Sequence, residues 1–143
     1  EEELLGTGGG VKKALPFLEG KTVCIMNSDI VIDLNLKEVY SFHTKKGNPV
    51  TIVVKKGPSR DLSLKGDEVE EFFPDHKKEA WTFCGITFAD RKILEEIPAG
   101  KACLVRDFFV PLLRKGKRIS AFIYNGRFID AGTPEGLKMA VEK

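Results

Sequence analysis

A chain of 143 residues fits one domain by length and is long enough to bury a core. Apolar residues make up 42% and charged residues 31%, and 23 Lys and Arg against 21 Asp and Glu leave a net charge of +2. That balance excludes an electrostatic case for nucleic acid or an anionic membrane, and no stretch approaches the ~20 apolar residues of a membrane span. The three cysteines, Cys24, Cys84 and Cys103, are odd in number and lack CxxC spacing. Buried thiols in a reducing, cytoplasmic setting are expected rather than disulfides or a zinc site.

The chain passes from Glu1-Glu2-Glu3 almost directly into Leu4-Leu5-Gly6-Thr7-Gly8-Gly9-Gly10, an abrupt start for a domain. Val11, Ala14, Leu15 and Leu18 then fall at helical spacing. A glycine loop entering a helix lets backbone N–H groups approach a phosphate or a base, the alternative being a flexible start. It matches neither GxGxxG after a strand nor GxxxxGKS. Thr22–Asn27 reads as a strand buried on both faces in the middle of a parallel sheet. Asn27-Ser28-Asp29 closes it, at the edge where open α/β sheets bind ligands. Asp29 there suits a divalent cation or, equally, the cap of a turn. Asp33 is predicted to be an N-cap rather than the second member of a metal pair.

Leu36, Val39, Tyr40 and His43 mark a helix face stopped by Gly47, with His43 expected to be packed rather than a ligand. Pro49–Val54 is a second strand, dense in β-branched residues. Leu62, Leu64, Val69 and Phe72 alternate as a hairpin over the main sheet. Lys55, Lys56, Lys65, Lys77 and Lys78, interleaved with acids, read as a solvated face. Trp81–Phe88 is the third long strand, and Gly85 inside it signals a bulge or a close approach.

A short helix is expected over Arg91–Ile97. Another carries Val105, Phe108, Phe109, Leu112 and Leu113, kinked or delayed by Pro111. Asn125-Gly126 predicts a hairpin between Ile119–Tyr124 and Arg127–Ile129. Asp130 then leads to a last helix, Pro134–Val141, with Thr133 as N-cap. If the strands before Asp29 and Asp130 are neighbours, the two carboxylates make half of a divalent-metal site, completed by water and substrate phosphate.

Five segments in order carry a resemblance. LLGTGGGVKKALPFL resembles the LGTAGGL-plus-helix segment of the sugar-1-phosphate nucleotidyltransferase family, and IMNSDI its VNGD strand end. WTFCGI is similar to its TFTGI or NAGIY strand, and DFFVPLL with FIDAGTPEGL to its DVFPLL and DIGTPEDY close. Mannose-1-phosphate guanylyltransferase-like members are the most similar. The resemblance implies an α/β, Rossmann-like three-layer nucleotidyltransferase fold with a mixed sheet, N-terminally truncated. It implies transfer of a nucleotidyl group from an NTP to a sugar 1-phosphate, giving an NDP-sugar and pyrophosphate.

By the same resemblance Asp29 and Asp130 are the catalytic Mg²⁺ ligands, and Gly6, Thr7 and Gly8 lie along the base and ribose. Gly85, with Thr82 nearby, presents backbone to the sugar, and Asn125 lies near the sugar phosphate. Glu70 or Glu71 stands in for the acid of the family's EKP element. The family's GxGTRLxPLTxxxPKxLxPV signature, which holds the triphosphate, is not found in these residues. Residues 1–143 are therefore expected to be the carboxyl-side part of a catalytic domain, inactive alone and open to homo-oligomerisation through an exposed sheet edge. The alternatives are a non-catalytic module that binds a sugar nucleotide or regulates a partner, and an unrelated α/β domain with capping aspartates.

Overall fold

The computed structural model describes residues 3–76 and 78–142, so Glu1, Glu2 and the Lys77 of the solvated face lie outside the described residues. In chain order the elements are α1 (Gly6–Ala14), β1 (Thr22–Met26), β2 (Ile30–Ile32), α2 (Leu36–Lys46), β3 (Val50–Lys55), β4 (Leu62–Lys65), β5 (Glu68–Phe72), β6 (Thr82–Asp90), α3 (Val110–Arg114), β7 (Ile119–Ile123), β8 (Phe128–Asp130) and α4 (Pro134–Val141). Six strands form one sheet in the order β1-β6-β3-β7-β5-β4, and β2 with β8 makes a separate two-stranded ribbon. The main sheet is mixed. β3 and β7 run parallel, while β1–β6, β6–β3, β5–β7 and β4–β5 are antiparallel.

The period of two along β3 sorts side chains to the two faces. Val50, Ile52 and Val54 join Leu15, Leu94, Phe108, Phe109 and Leu112 in one apolar cluster. Val53 joins Val39, Cys84, Ile86, Phe88 and Tyr124 in the other, with Ile30, Ile32 and Phe128 of the ribbon packed against it. The result is three layers: α1, α3 and their turns, then the sheet, then α2 with the ribbon. It is the Rossmann-like three-layer arrangement with a mixed sheet that the resemblance implied. His43 reaches through the α2 layer, 3% exposed, with Nδ1 2.8 Å from Thr51 Oγ1 and Nε2 3.3 Å from Asp90 Oδ1. It is a packing residue that pins α2 to β3 and β6. Among the described residues no helix is long and apolar enough to cross a membrane.

Several local expectations need correction. β1 is an edge strand, antiparallel to β6, not the middle of a parallel sheet. Its far side carries no strand among the described residues, and Cys24 and Met26 are exposed. Of the three free thiols only Cys84 is buried. The glycine run is not a loop before a helix but the first turns of α1. Gly8 and Gly9 are buried there, and their N–H groups donate to Ala102 O at 2.9 and 3.2 Å. A side chain at Gly8 would meet that oxygen at 3.1 Å, and one at Gly9 would collide with Gly100 O. These glycines let the helix lie against the Gly100–Leu104 backbone.

Asn35, not Asp33, caps α2, accepting from Lys37 N at 3.1 Å, because the ribbon keeps the chain extended as far as Ile32. Gly47 ends α2 in the left-handed region (φ 67°), and Thr133 caps α4 through Gly136 N, both as expected. Asn125-Gly126 is not a hairpin turn. β7 pairs with β3 and β5, while β8 leaves the sheet to pair with β2. The β4–β5 hairpin extends the main sheet beyond β7 rather than lying over it. Residues 93–96 form only a 3₁₀ turn. A π-helical turn, Leu104–Phe109, precedes α3, so Pro111 falls in the first turn of a new helix, where its missing N–H costs no bond.

Candidate functional site

Asp29 and Asp130 are brought together by the ribbon. Antiparallel pairing sets Ile30 opposite Asp130, and Ala131 N donates to Asp29 O at 2.8 Å. A methyl group on Gly132 would lie 2.6 Å from Asp29 Oδ2 and 3.1 Å from Asp130 Oδ1. Both carboxylates therefore flank one space of carbon-atom size. Gly132 N donates to Asp130 Oδ1 at 3.0 Å, which fixes that carboxylate's rotamer. Both aspartates are exposed, and neither forms an ion pair with a cation among the described residues. Two unneutralised carboxylates this close repel each other, and a shared cation relieves that cost.

Two grooves border the pair. One, of about 380 Å³, is lined by Gly6, Thr7, Gly10, Met26, Ser28 and Asp29. Of the three residues expected along a nucleotide, Gly6 and Thr7 line this groove, and Gly8 faces Ala102 instead. The Thr7 hydroxyl is engaged, accepting from Leu104 N at 3.0 Å. The other groove, of about 460 Å³, is lined by Lys55, Lys56, Ser59, Thr82, Asp130 and Thr133, among others. Thr82 thus shares a wall with Asp130.

Gly85 sits in β6 at φ 73°, opposite a register shift between Ile52 and Val54, and its carbonyl accepts from Asn27 N at 2.9 Å. A side chain there would meet Asn27 Nδ2 at 2.8 Å, so the close approach is made by the strand end that leads to Asp29. Glu70 is not with the aspartates. Its carboxylate takes bonds from Ser63 Oγ and Lys78 Nζ and lines a groove on the α3 side, where those two partners hold it. Glu71 faces the same groove. Asn125 is exposed in the turn after β7 and lines neither of the two grooves.

Sequence reasoning missed Asp61. It lines the same groove as Asp130, and its Oδ2 accepts from Phe83 N at 2.8 Å. Burial raises its pKa above the usual carboxylate range; the Phe83 N–H opposes that rise and the charge of Asp130 adds to it. Its only signal in the sequence was a position between Gly57-Pro58 and the alternating Leu62 and Leu64, which reads as turn chemistry.

No family model matches the chain. Among curated proteins it is 28% identical over 144 residues to the mannose-1-phosphate guanylyltransferase of Mycobacterium tuberculosis, covering 94% of this chain and 40% of that protein. It is 26% identical to the D-glycero-alpha-D-manno-heptose 1-phosphate guanylyltransferase of Aneurinibacillus thermoaerophilus, over 98% of this chain and 63% of that one. Among solved structures, HddC of Yersinia pseudotuberculosis complexed with GMP-PN superposes with a TM-score of 0.81 at 25% identity, covering 99% of this chain and 64% of that one. The inositol-1-phosphate CTP transferase of T. maritima shares the fold, with a TM-score of 0.77 at 11% identity over 96% of this chain and 60% of that one. The chain thus spans less than two thirds of each of these proteins. It is similar in sequence to the guanylyltransferases named here and in fold to the solved nucleotidyltransferase structures.

Proposed function

We propose that these residues form the metal and sugar-phosphate side of a centre that transfers a guanylyl group from GTP to a sugar 1-phosphate, as the carboxyl-side part of its catalytic domain. The observation that carries this reading is the convergence of Asp29 and Asp130 on the space beside Gly132, between two grooves. The guanylyltransferase relatives and the GMP-PN complex of HddC support guanine as the base.

The donor set fits Mg²⁺, since hard cations take carboxylate oxygens and retain several waters beside phosphates. Among the described residues no group of three or more His, Cys, Asp or Glu is arranged for a metal; in this reading Asp29 and Asp130 would hold the ion together with water and substrate phosphate. When bound, Mg²⁺ offsets charge on the phosphate under attack. The groove of Gly6 and Thr7 orients the nucleotide against α1. Lys55, whose Nζ donates to Gly126 O at 2.7 Å, lines the groove where the sugar phosphate enters and keeps donors to offer it, whereas Lys56 is paired with Glu79 at 2.6 Å. The sugar phosphate oxygen attacks in line, so no protein nucleophile is required and positioning carries the rest. Self-association along the open edge of β1 belongs to the same reading, and sedimentation over a concentration series checks it.

Calorimetry of GDP-mannose binding with and without Mg²⁺ tests the proposal. The 143-residue chain should bind only with the metal, and Asp29→Asn or Asp130→Asn should lose that binding while keeping the fold by circular dichroism. Pyrophosphate release from GTP and mannose 1-phosphate should be absent from this chain and appear once a segment bearing GxGTR and PK is joined to it. Rapid release by the chain alone would overturn the division of labour. Metal-independent binding would overturn the role of the aspartates, and binding without turnover in the joined protein would leave a sugar-nucleotide-binding module.

A further inference from the structure

We infer that Asp61 reads the sugar: its carboxylate accepts a hydroxyl of the sugar ring in the groove that ends at Asp130. The inference rests on the proposed function and adds a specificity residue to it.

Three bonds hold Asp61 in place. Its N–H donates to Trp81 O at 3.0 Å, its carbonyl accepts from Phe73 N at 2.8 Å, and Oδ2 accepts from Phe83 N at 2.8 Å. The other carboxylate oxygen has no protein partner among the described residues. Asp61 lines the Asp130 groove and also an adjoining groove of about 410 Å³ walled by Phe73, Phe83 and Arg106, so it stands where the two meet. Phe73 is the one non-glycine residue at positive φ (55°) among the described residues, and the bond to Asp61 O helps to hold it there. Backbone strain of this kind collects at ligand sites. The Arg106 guanidinium lies over its ring, 6.0 Å from the centroid.

A fixed carboxylate with one free oxygen accepts from hydroxyls and repels phosphates. Within the groove it therefore favours the ring end of a sugar phosphate, while Lys55 favours the phosphate end. A hydroxyl donated to a rigid, partly desolvated carboxylate discriminates strongly, because a substrate lacking it leaves the acceptor unpaired.

Asp61→Asn separates this role from a structural one. Its amide oxygen can still accept from Phe83 N–H, while the groove now meets a donor. Calorimetry with Mg²⁺ would measure GDP, GDP-mannose and the corresponding GDP-heptose against the wild-type chain, Asp61→Asn and Asp61→Ala. The wild-type chain should bind at least one GDP-sugar more tightly than GDP. Asp61→Asn should weaken that GDP-sugar by about tenfold or more, the worth of a hydrogen bond to a charged group, and leave GDP unchanged. Asp61→Ala should add a fall in melting temperature that Asp61→Asn does not show. Equal weakening of GDP and GDP-sugar, or no change with Asp61→Asn, would overturn the inference and leave the proposed function standing. A wild-type chain that binds none of the three overturns both.

Discussion

β3 and β2 are built from similar residues and meet different fates. Val50 to Val54 of β3 are fully buried between two neighbouring strands, with apolar layers on both faces. Ile30 to Ile32 of β2 pair with one three-residue partner and are exposed or half-buried. Central strands have no room for an uncompensated charge. A thin ribbon at the margin can hold two carboxylates in water and still fix their positions, since its register is locked by pairing and by one apolar face. The sheet supplies stability, and the ribbon supplies a site that costs the core nothing.

The largest test of this contrast lies in the core. Phe109, fully buried, stacks on Phe72 at 5.9 Å and meets Phe83 edge-on at 6.0 Å. Phe109→Ala should cost about 3–5 kcal/mol in urea unfolding; a loss below about 1 kcal/mol would show that the sheet is not the main source of stability. Gly132→Ala should do the reverse. Its methyl enters the space between the aspartates, 2.6 Å from Asp29 Oδ2. Mg²⁺-dependent affinity for a GDP-sugar should fall about 100-fold, the scale of a disturbed metal shell, with little change in the urea midpoint. A large midpoint shift instead would make the ribbon a structural element.

The joint between the two regions is weaker. Tyr124, packed in the second apolar cluster, has its hydroxyl 2.7 Å from Asp33 O and 3.1 Å from Arg127 O, and one proton serves one acceptor at a time. Tyr124→Phe should cost about 1 kcal/mol and speed amide exchange in β2 more than in β3. Uniform acceleration would mean that ribbon and sheet open together.

The effect that is smallest near neutral pH appears only in alkali. Burial pushes the Cys84 thiol up to about 12, whereas an unfolded chain ionises it near ~8.5. Between those values the folded state holds the proton and the unfolded state releases it, so stability should decline as pH rises through the window. Cys84→Ala should flatten the decline. An unchanged slope would assign the alkaline loss to other groups.

The main sheet was legible because its strands are long runs of β-branched and aromatic residues, and the helix ends because Gly47 and Thr133 are strong caps. Asp29 and Asp130 could be named from their places before turns. Their meeting was implied by the resemblance and not by the residue pattern. It depends on β8 leaving β7 for β2, a partner far away in the chain, and three-residue strands carry too little pattern to specify pairing. Asn125-Gly126 misled because its flanking strands satisfy their backbone elsewhere. The glycines of α1 suggested a ligand, yet Gly8 and Gly9 serve the Ala102 contact. Asp61 was hidden because what distinguishes it, a bond from Phe83 N and a place in the Asp130 groove, arises from tertiary contacts.

The exposed turn that follows β3 has a consequence for how the chain tolerates being cut. Cleavage between Lys56 and Gly57 would place Asp29 in one fragment and Asp130 in the other, along with β1, β2 and β3 against β6, β7 and β8. Four strand pairings cross the cut, β1–β6, β3–β6, β3–β7 and β2–β8, together with the α1 contact to Ala102 and the His43 contact to Asp90. Neither half holds a finished core, so each is a template for the other, and the protein is a natural candidate for splitting into two reporters whose reunion rebuilds the paired aspartates.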